Sequence, residues 1–149
     1  MYRMVTGAGA LVRDGRPEES SALAVLLSQL GHDVSPAWLH AWLSNLDPAT
    51  DRLLVLEQVG EPVGVGVVHL TPFAHEGGHR ARLTALVIDG RVRSRGLGAM
   101  LLTACEEAAQ SMRCSSLELT TASWRQDAHR FYERQGYAVV SRRYSKLLR

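Results

Sequence analysis

The sequence predicts an α/β fold in which helices cover a single mixed sheet. Apolar residues alternate with polar ones in several short segments, as in strands, and recur every three or four positions in others, as in helices. The two kinds of segment alternate along the chain. Its 149 residues, 46% of them hydrophobic and 21% charged, suffice for one domain with a buried core and are too apolar for extensive disorder.

The first third of the chain predicts one strand and two helices. Residues 1–9 read as a loose tail, and residues 10–13 as a short strand. The first helix follows from leucines at helical spacing, namely Leu23, Leu26, Leu27 and Leu30. Gly31 is a typical residue to end that helix. A second helix begins after Ser35, because serine is a common N-cap and Pro36 is well tolerated in the first turn.

A hairpin comes next, followed by a loop. Residues 52–59 and 62–70 predict two antiparallel strands joined at Gly60 and Glu61. Residues 71–79 are rich in glycine, proline and histidine, and therefore predict a loop.

The last part of the chain predicts three strands and two helices. Residues 83–88 form a buried strand, and a long helix begins at Leu97. A strand over residues 116–121, a short helix over 125–135 and a final strand over 137–147 complete the order β-α-α-β-β-β-α-β-α-β.

Composition argues against several classes of function. The net charge of +2 gives no case for nucleic acid as the main partner. No stretch approaches the ~20 apolar residues that cross a membrane, and the N-terminus lacks the apolar core of a signal peptide. Cys105 and Cys114 have no metal-ligand spacing and read as reduced packing residues. We therefore expect a cytoplasmic protein with no membrane partner, no nucleic-acid partner and no metal.

A basic turn joins the buried strand to the N-terminus of the long helix. It consists of Arg93, Ser94, Arg95, Gly96, Leu97 and Gly98. Backbone N–H groups, the positive end of the helix dipole and two arginines together suit a phosphorylated ligand. The two glycines lack Cβ and let phosphate oxygens approach the backbone. Taken alone, the pattern fits an ordinary turn with solvated arginines equally well.

A second motif near the C-terminus makes the pattern specific. The string Ala-x-x-Phe-Tyr-x-x-x-Gly-Tyr is formed by Ala128, Phe131, Tyr132, Gly136 and Tyr137. The two motifs, in this order, resemble the GNAT superfamily of acetyl-CoA-dependent N-acetyltransferases. The resemblance implies one GNAT domain over residues 10–149, whose mostly antiparallel sheet contains a splayed strand pair and is flanked by helices. It also implies a homodimer.

The resemblance further implies where acetyl-CoA binds. In the family, the strand before the turn bonds the pantetheine amides through its backbone, and the turn holds the pyrophosphate. The matching residues here are Leu86, Val87 and Ile88 on the strand, Arg93, Ser94, Arg95, Gly96, Leu97, Gly98 and Ala99 at the turn, and Arg125, Ala128, Phe131 and Tyr132 near the C-terminus. A backbone N–H at about Val87 is the implied oxyanion donor.

Tyr132 matches the general acid of the family. A tyrosine hydroxyl with the ordinary pKa of ~10 is protonated at neutral pH, and can give its proton to a thiolate whose acid form has a pKa of ~8.5. In the alternative interpretation, Tyr132 packs against coenzyme A without transferring a proton.

The general base is left open. Many family members carry a glutamate on the strand before the turn, but the equivalent positions here hold Arg82, Thr84 and Ala85. His75 and His79 are candidates, since an imidazole with the ordinary pKa of ~6.5 is mostly neutral at pH 7. Other candidates are Glu76, Glu118 and a chain of water molecules. His69, on a strand, reads as a packed residue.

The acceptor is predicted to be a primary amine of a small molecule. Arg125 stands where many family members have asparagine, and its surroundings look most like the branch of aminoalkylphosphonate and aminoglycoside N-acetyltransferases. Arg125 then faces either an anionic substrate group or the solvent. Trp38 and Trp42, one helical turn apart, form either a wall of the acceptor pocket or part of the core. Two other functions stay open, a non-catalytic acyl-CoA-binding regulatory module and a protein or peptide N-acetyltransferase.

Overall fold

The computed structural model describes the chain at residues 3–5, 9–92 and 96–149. The chain divides into two units, Met1–Leu119 and Thr120–Arg149. Among the described residues, the first unit contains the sheet and three α-helices, and the second contains one α-helix.

A six-stranded mixed sheet forms the centre of the first unit and confirms the predicted fold class. Its strands are β1 (Arg3–Val5), β2 (Ala10–Asp14), β3 (Asp51–Gln58), β4 (Glu61–Phe73), β5 (Gly78–Ile88) and β6 (Leu117–Glu118). They lie side by side in chain order, and all neighbours are antiparallel except β5 and β6. A parallel neighbour needs a crossover connection, which a helix between β5 and β6 provides.

Helices cover both faces of the sheet. The three in this unit are α1 (Ser20–Ser28), α2 (Pro36–Ser44) and α3 (Leu97–Ser111). On one face, Val65 and Val67 of β4 join a buried cluster with residues of α1 and α2. Successive strand residues point to opposite faces, and the position of Gly66, between these valines, faces Cys105 of α3. The long helix therefore lies on the other face.

The ends of the first two helices follow the predicted local signals. Pro17 opens a short 3-10 turn that leads into α1, and Gly31 beyond its end has a φ of 102°. Ser35 caps α2, because its Oγ accepts a hydrogen bond of 3.2 Å from the backbone N–H of Trp38.

The turn between β3 and β4 lies one residue earlier than predicted. Val59 and Gly60 form it, with φ values of 50° and 78°. Two such residues give the tight turn whose twist matches the flanking strands. Glu61 is already the first residue of β4.

The loop predicted over residues 71–79 is wrong, because the neighbouring strands continue into it. β4 runs to Phe73, and only a 3-10 turn at Ala74–Glu76 and Gly77 separate it from β5. Cross-strand pairing supplies partners for the backbone of this segment. The Arg80 guanidinium also lies 4.5 Å from the centre of the Phe73 ring, a cation–π contact across the hairpin.

Three predictions near the chain ends are also corrected. Arg3–Val5, inside the predicted tail, form β1 and pair with β2, while residues 1, 2 and 6–8 lie outside the described part of the chain. The strand predicted over 116–121 shrinks to the two residues of β6. Residues 137–147 form no strand. Strands are held by hydrogen bonds to a neighbour, and the second unit, residues 120–149, contains no other strand to pair with.

Candidate active site

The short strand β6 pairs with only part of β5. β6 pairs with β5 only at Ala81 and Arg82, whereas β4 pairs with β5 as far as Ile88. Beyond Arg82, one edge of β5 therefore lies outside the ladder with β6. The splayed pair that the resemblance implies stays a prediction, because β6 has only two residues.

Alternation along β5 decides which backbone groups face the open edge. The backbone N–H of Asp89 donates to the Val63 carbonyl of β4 at 2.8 Å. Since N–H groups alternate between the two edges of a strand, the N–H of Val87 is directed toward β4 and that of Leu86 toward the open edge. The Val87 side chain is buried in the core. The N–H of Val87, the position expected for the oxyanion donor, is therefore directed away from the open edge, whereas that of Leu86 faces it.

The described part of the basic turn begins α3 as predicted. Arg93, Ser94 and Arg95 lie outside the described residues. Gly96 is the N-cap residue, with a φ of 73° that favours glycine. Leu97 is buried, which fixes the start of the helix to the core. The first bond within the helix runs from Met100 N–H to the Gly96 carbonyl, so the preceding N–H groups suit an anion. They belong to Leu97, Gly98 and Ala99.

Asp89 anchors the chain where it enters this turn. Its buried carboxylate accepts hydrogen bonds from the Arg91 guanidinium at 2.7 Å and the Arg91 backbone N–H at 3.1 Å. These bonds lower the pKa of Asp89 to about 2. The backbone N–H of Gly90, between Asp89 and Arg91, donates to Gln29 Oε1 at 3.1 Å. Sequence reasoning missed Asp89, although an aspartate whose side chain bonds the backbone two residues on is a typical turn residue.

We expect Asp89→Asn to destabilise the protein most at neutral pH. A carboxylate whose pKa is lower in the folded state contributes stability above its unfolded pKa of 3.8, and this contribution disappears as the pH falls through about 2. The difference in the free energy of urea unfolding between variant and parent, measured from pH 7 down to pH 2, should therefore shrink as the pH falls. Asp33→Asn, at an exposed carboxyl, is the matched control. Two parallel curves for Asp89→Asn and parent would contradict the anchoring role.

A cavity of about 290 Å³ lies between the first two helices and the sheet. Its lining residues are Leu27, Leu30, His32, Val34, Trp38, Leu39, Trp42, Leu53, Val67, His69 and Thr84. Trp38 and Trp42 stack with their ring centres 6.1 Å apart and an interplanar angle of 9°. The side chain of Trp42 also packs against the core cluster, whereas Trp38 is 63% exposed. The two tryptophans therefore form both a cavity wall and the border of the core.

His69 stands at the polar end of this cavity. Its Nδ1 lies 2.5 Å from Asp51 Oδ1, and its Nε2 lies 2.9 Å from Thr84 Oγ1. The Trp42 ring lies against the imidazole, with centres 6.1 Å apart. The prediction that His69 is merely packed missed this chain of hydrogen bonds, which joins residues 18 and 15 positions apart in the sequence.

The histidines predicted as bases lie on the β4–β5 hairpin and do not line the cavity. His75 has a 74% exposed side chain 3.6 Å from Glu76 Oε1. His79 pairs with Pro72 in the hairpin ladder. Glu76 forms an ion pair with Arg80, and the Glu118 carboxylate lies 3.5 Å from Arg80 and 3.4 Å from Arg82. The structure thus gives neither histidine a place at the cavity, and ties both carboxylates to arginines.

The second unit brings the C-terminal motif together around α4 (Gln126–Arg134). Arg125 is the N-cap residue of this helix, and Ala128, Phe131 and Tyr132 lie on it, half-buried. The Tyr132 ring makes edge contacts with Phe131 and Tyr137, at centre distances of 5.1 and 5.7 Å. Gly136, with a φ of 91°, ends the helix and lets the Tyr137 N–H bond the Tyr132 carbonyl at 3.0 Å. The glycine and final tyrosine of the motif therefore hold Tyr132 in place.

The described residues contain neither a metal-binding cluster nor a membrane-spanning helix. No cluster of three histidine, cysteine, aspartate or glutamate side chains there is arranged to hold a metal ion. Among the same residues, every helix is too short or too polar to cross a membrane.

Comparison with known proteins identifies the family. The family model described as Acetyltransferase (GNAT) family matches residues 21–137. Over 103 residues, 69% of this chain, the sequence is 35% identical to an aminoalkylphosphonate N-acetyltransferase of Salmonella typhimurium. The match spans 66% of that relative, slightly under two thirds of its length.

Solved structures agree on the fold. A glucosamine-6-phosphate N-acetyltransferase from Arabidopsis thaliana matches with a TM-score of 0.79 and 21% identity, covering 94% of this chain and 99% of that one. A transcriptional regulator from Bacillus halodurans matches with a TM-score of 0.80 and 22% identity, covering 93% and 99%. From the family match over most of its length, the chain belongs to the acetyltransferase (GNAT) family.

Proposed function

We propose that the protein transfers an acetyl group from acetyl-CoA to a primary amine of a small molecule. The observation that carries this proposal is the open edge of β5, which leads through the turn anchored by Asp89 into the N-terminus of α3. An extended amide chain can bond such an edge, and a pyrophosphate can bind at such a helix start. Coenzyme A contains both groups, since its pantetheine is an extended amide chain and is joined to a pyrophosphate.

The donor site follows from these backbone groups. The Leu86 N–H, directed to the open edge, is the proposed oxyanion donor, and Leu86, Val87 and Ile88 flank the pantetheine. The first N–H groups of α3 hold the pyrophosphate together with Arg93, Ser94 and Arg95. The resemblance to the family is the basis on which Arg125, Ala128 and Phe131 are also proposed to contact coenzyme A.

The protein must supply a proton acceptor for the ammonium, a hydrogen-bond donor for the oxyanion and a proton donor for the thiolate. The acceptor ammonium loses a proton, its nitrogen attacks the thioester carbonyl, and the negative charge that develops on the oxygen is met by the N–H donor. The departing thiolate takes a proton from Tyr132. The attacking nitrogen loses its second proton when the amide forms, and this proton restores the hydroxyl of Tyr132.

The acceptor class is proposed from the relative of 35% identity. Aminoalkylphosphonates come first, and aminoglycosides second, because the sequence around Arg125 resembles both. We also propose that the protein is a homodimer and lies in the cytoplasm. Sedimentation of the purified protein measures its oligomeric state.

A panel of amines tests the proposal. Purified protein is incubated with acetyl-CoA and, separately, an aminoalkylphosphonate, an aminoglycoside, a polyamine, an amino acid and a lysine-containing peptide. We expect thiol release above the no-amine control with an aminoalkylphosphonate and a mass increase of one acetyl group on its nitrogen. Thiol release at the control rate with every amine would contradict the enzymatic function, and acetylation of the peptide alone would move the activity to protein substrates.

A further inference from the structure

We propose that the cavity beneath Trp38 and Trp42 receives the aminoalkyl group of the acceptor, and that His69, held by Asp51, removes the ammonium proton through Thr84. This inference rests on the proposed function and adds to it a binding site and a general base. The residues that form it lie on α2, β3, β4 and β5 of the first unit.

Asp51 fixes which nitrogen of His69 can accept a proton. An ionised carboxylate only accepts hydrogen bonds, so Nδ1, 2.5 Å from Asp51 Oδ1, carries the hydrogen. In the neutral imidazole with this tautomer, Nε2 keeps its lone pair and can accept a hydrogen bond from the Thr84 hydroxyl, 2.9 Å away. Asp51 and His69 are direct neighbours in the ladder between β3 and β4, so the rigid sheet holds this pair. A neutral imidazole with one fixed tautomer is the form that a general base requires.

A β-bulge places Thr84 next to His69. Val67 pairs with Ala85 and Val68 pairs with Leu83, which leaves Thr84 as an extra residue in β5. An extra residue reverses the alternation of side chains along a strand. Thr84 therefore lies on the cavity face with His69, instead of on the face covered by α3. Bulges of this kind commonly re-aim a side chain beside an active site.

The surroundings favour proton removal at this end of the cavity. The walls are apolar apart from His32, His69 and Thr84. His69 also faces Trp42 of α2 and pairs in register with Arg82 of β5, whose guanidinium lies 3.4 Å from Glu118. A carbon chain can lie on the tryptophans while its ammonium meets the threonine hydroxyl. Because Thr84 is exposed, protons can pass on to solvent.

The proton moves in one concerted transfer. The ammonium N–H donates to Thr84 Oγ1, the Thr84 hydroxyl hydrogen passes to His69 Nε2, and the new imidazolium is stabilised by Asp51. The neutral amine is then the nucleophile. His69 returns the proton to solvent after the product leaves, so no other reactant is needed.

The pH dependence of His69→Gln tests the base. We expect kcat/KM for the amine to fall about 100-fold at pH 7, and the loss to shrink above pH 9, where the free amine, with an ordinary pKa near ~10, is present in solution. His40→Gln, at an exposed histidine of α2 outside the cavity lining, and His75→Gln, on the exposed hairpin, are the matched controls and should keep the pH profile of the parent. The dissociation constant for coenzyme A should stay unchanged in all three variants.

Asp51 acts as a positioning residue, and Asp51→Asn tests that role. An amide can donate to Nδ1 and so favours the other tautomer, in which Nε2 carries the hydrogen. We expect kcat to fall at least tenfold while KM for acetyl-CoA is unchanged. Thr84→Val should show the pH profile of His69→Gln, and Thr84→Ser should restore that of the parent.

The outcomes separate the two levels of the proposal. If the parent protein acetylates no amine, both the proposed acetyl transfer and the role of His69 as general base are overturned. A parent that acetylates amines while His69→Gln loses nothing, or loses the same factor at every pH, overturns only the base. Trp42→Ala tests the cavity in the same active parent: an unchanged KM for the amine would remove the aminoalkyl group from this site.

Discussion

Tyr132→Phe is expected to lower kcat for acetyl transfer by about 100- to 1,000-fold while leaving coenzyme A binding unchanged. The substitution removes one oxygen and keeps the ring that contacts Phe131 and Tyr137. Without the hydroxyl, the thiolate leaves unprotonated, and the chemical step slows. Stopped-flow measurement of the first turnover would locate the loss in chemistry and exclude slow product release.

Tyr137→Phe is the matched control for this experiment. It removes the same oxygen from the aromatic ring that packs against Tyr132, 5.7 Å away between centres. We expect its kcat to remain within about twofold of the parent, because phenylalanine keeps both the ring contact with Tyr132 and the backbone N–H bond to the Tyr132 carbonyl. Equal activity of parent and Tyr132→Phe would assign Tyr132 to packing alone, the alternative that the sequence leaves open.

Gly66→Ala is expected to destabilise the protein by about 1–3 kcal/mol. A Cβ at this position would lie 2.6 Å from Cys105 Sγ and 3.6 Å from the Leu101 side chain of α3. Cys105 is fully buried, so either its side chain or α3 must shift to make room. The loss is measured as the free energy of urea unfolding, and a raised KM for acetyl-CoA would report the displaced helix start.

A double-mutant cycle with Cys105→Ala isolates the cause. Removing Sγ should recover part of the loss in Gly66→Ala, with a coupling of about 1 kcal/mol. Gly78→Ala is the control, because its new methyl group would have no atom within 4 Å. Strictly additive losses in the double variant would show that the new methyl group does not meet the sulfur.

Local signals predicted the helices well because their causes lie within a few residues. Ser35 and Pro36 define the start of α2 through one hydrogen bond, and Gly96 defines the start of α3 through its own φ. The motif around Tyr132 likewise encodes its own helix end at Gly136. In each case the residue lies within a few positions of the helix end that it determines.

Predictions failed where the partner is distant in the sequence. Residues 71–79 look like a loop, and only pairing across the hairpin makes residues 71–73 and 78–79 parts of strands. The role of His69 depends on a ladder neighbour in β3 and a bulged residue in β5, and neither register nor bulge can be read from alternation alone. Residues 137–147 show the opposite error, since a strand-like pattern finds no partner within its unit.

The tryptophan pair gives the acceptor site an optical signal of its own. Two of the three tryptophans of the chain, Trp38 and Trp42, line the same cavity, and the third, Trp124, is 79% exposed in the other unit. An amine that enters the cavity displaces water from one indole face and changes the fluorescence of the stacked pair, while Trp124 supplies a constant solvent-exposed background. Acceptor affinity is therefore measurable by intrinsic fluorescence in the absence of acetyl-CoA. Candidate acceptors can be compared by titration, without any catalytic turnover.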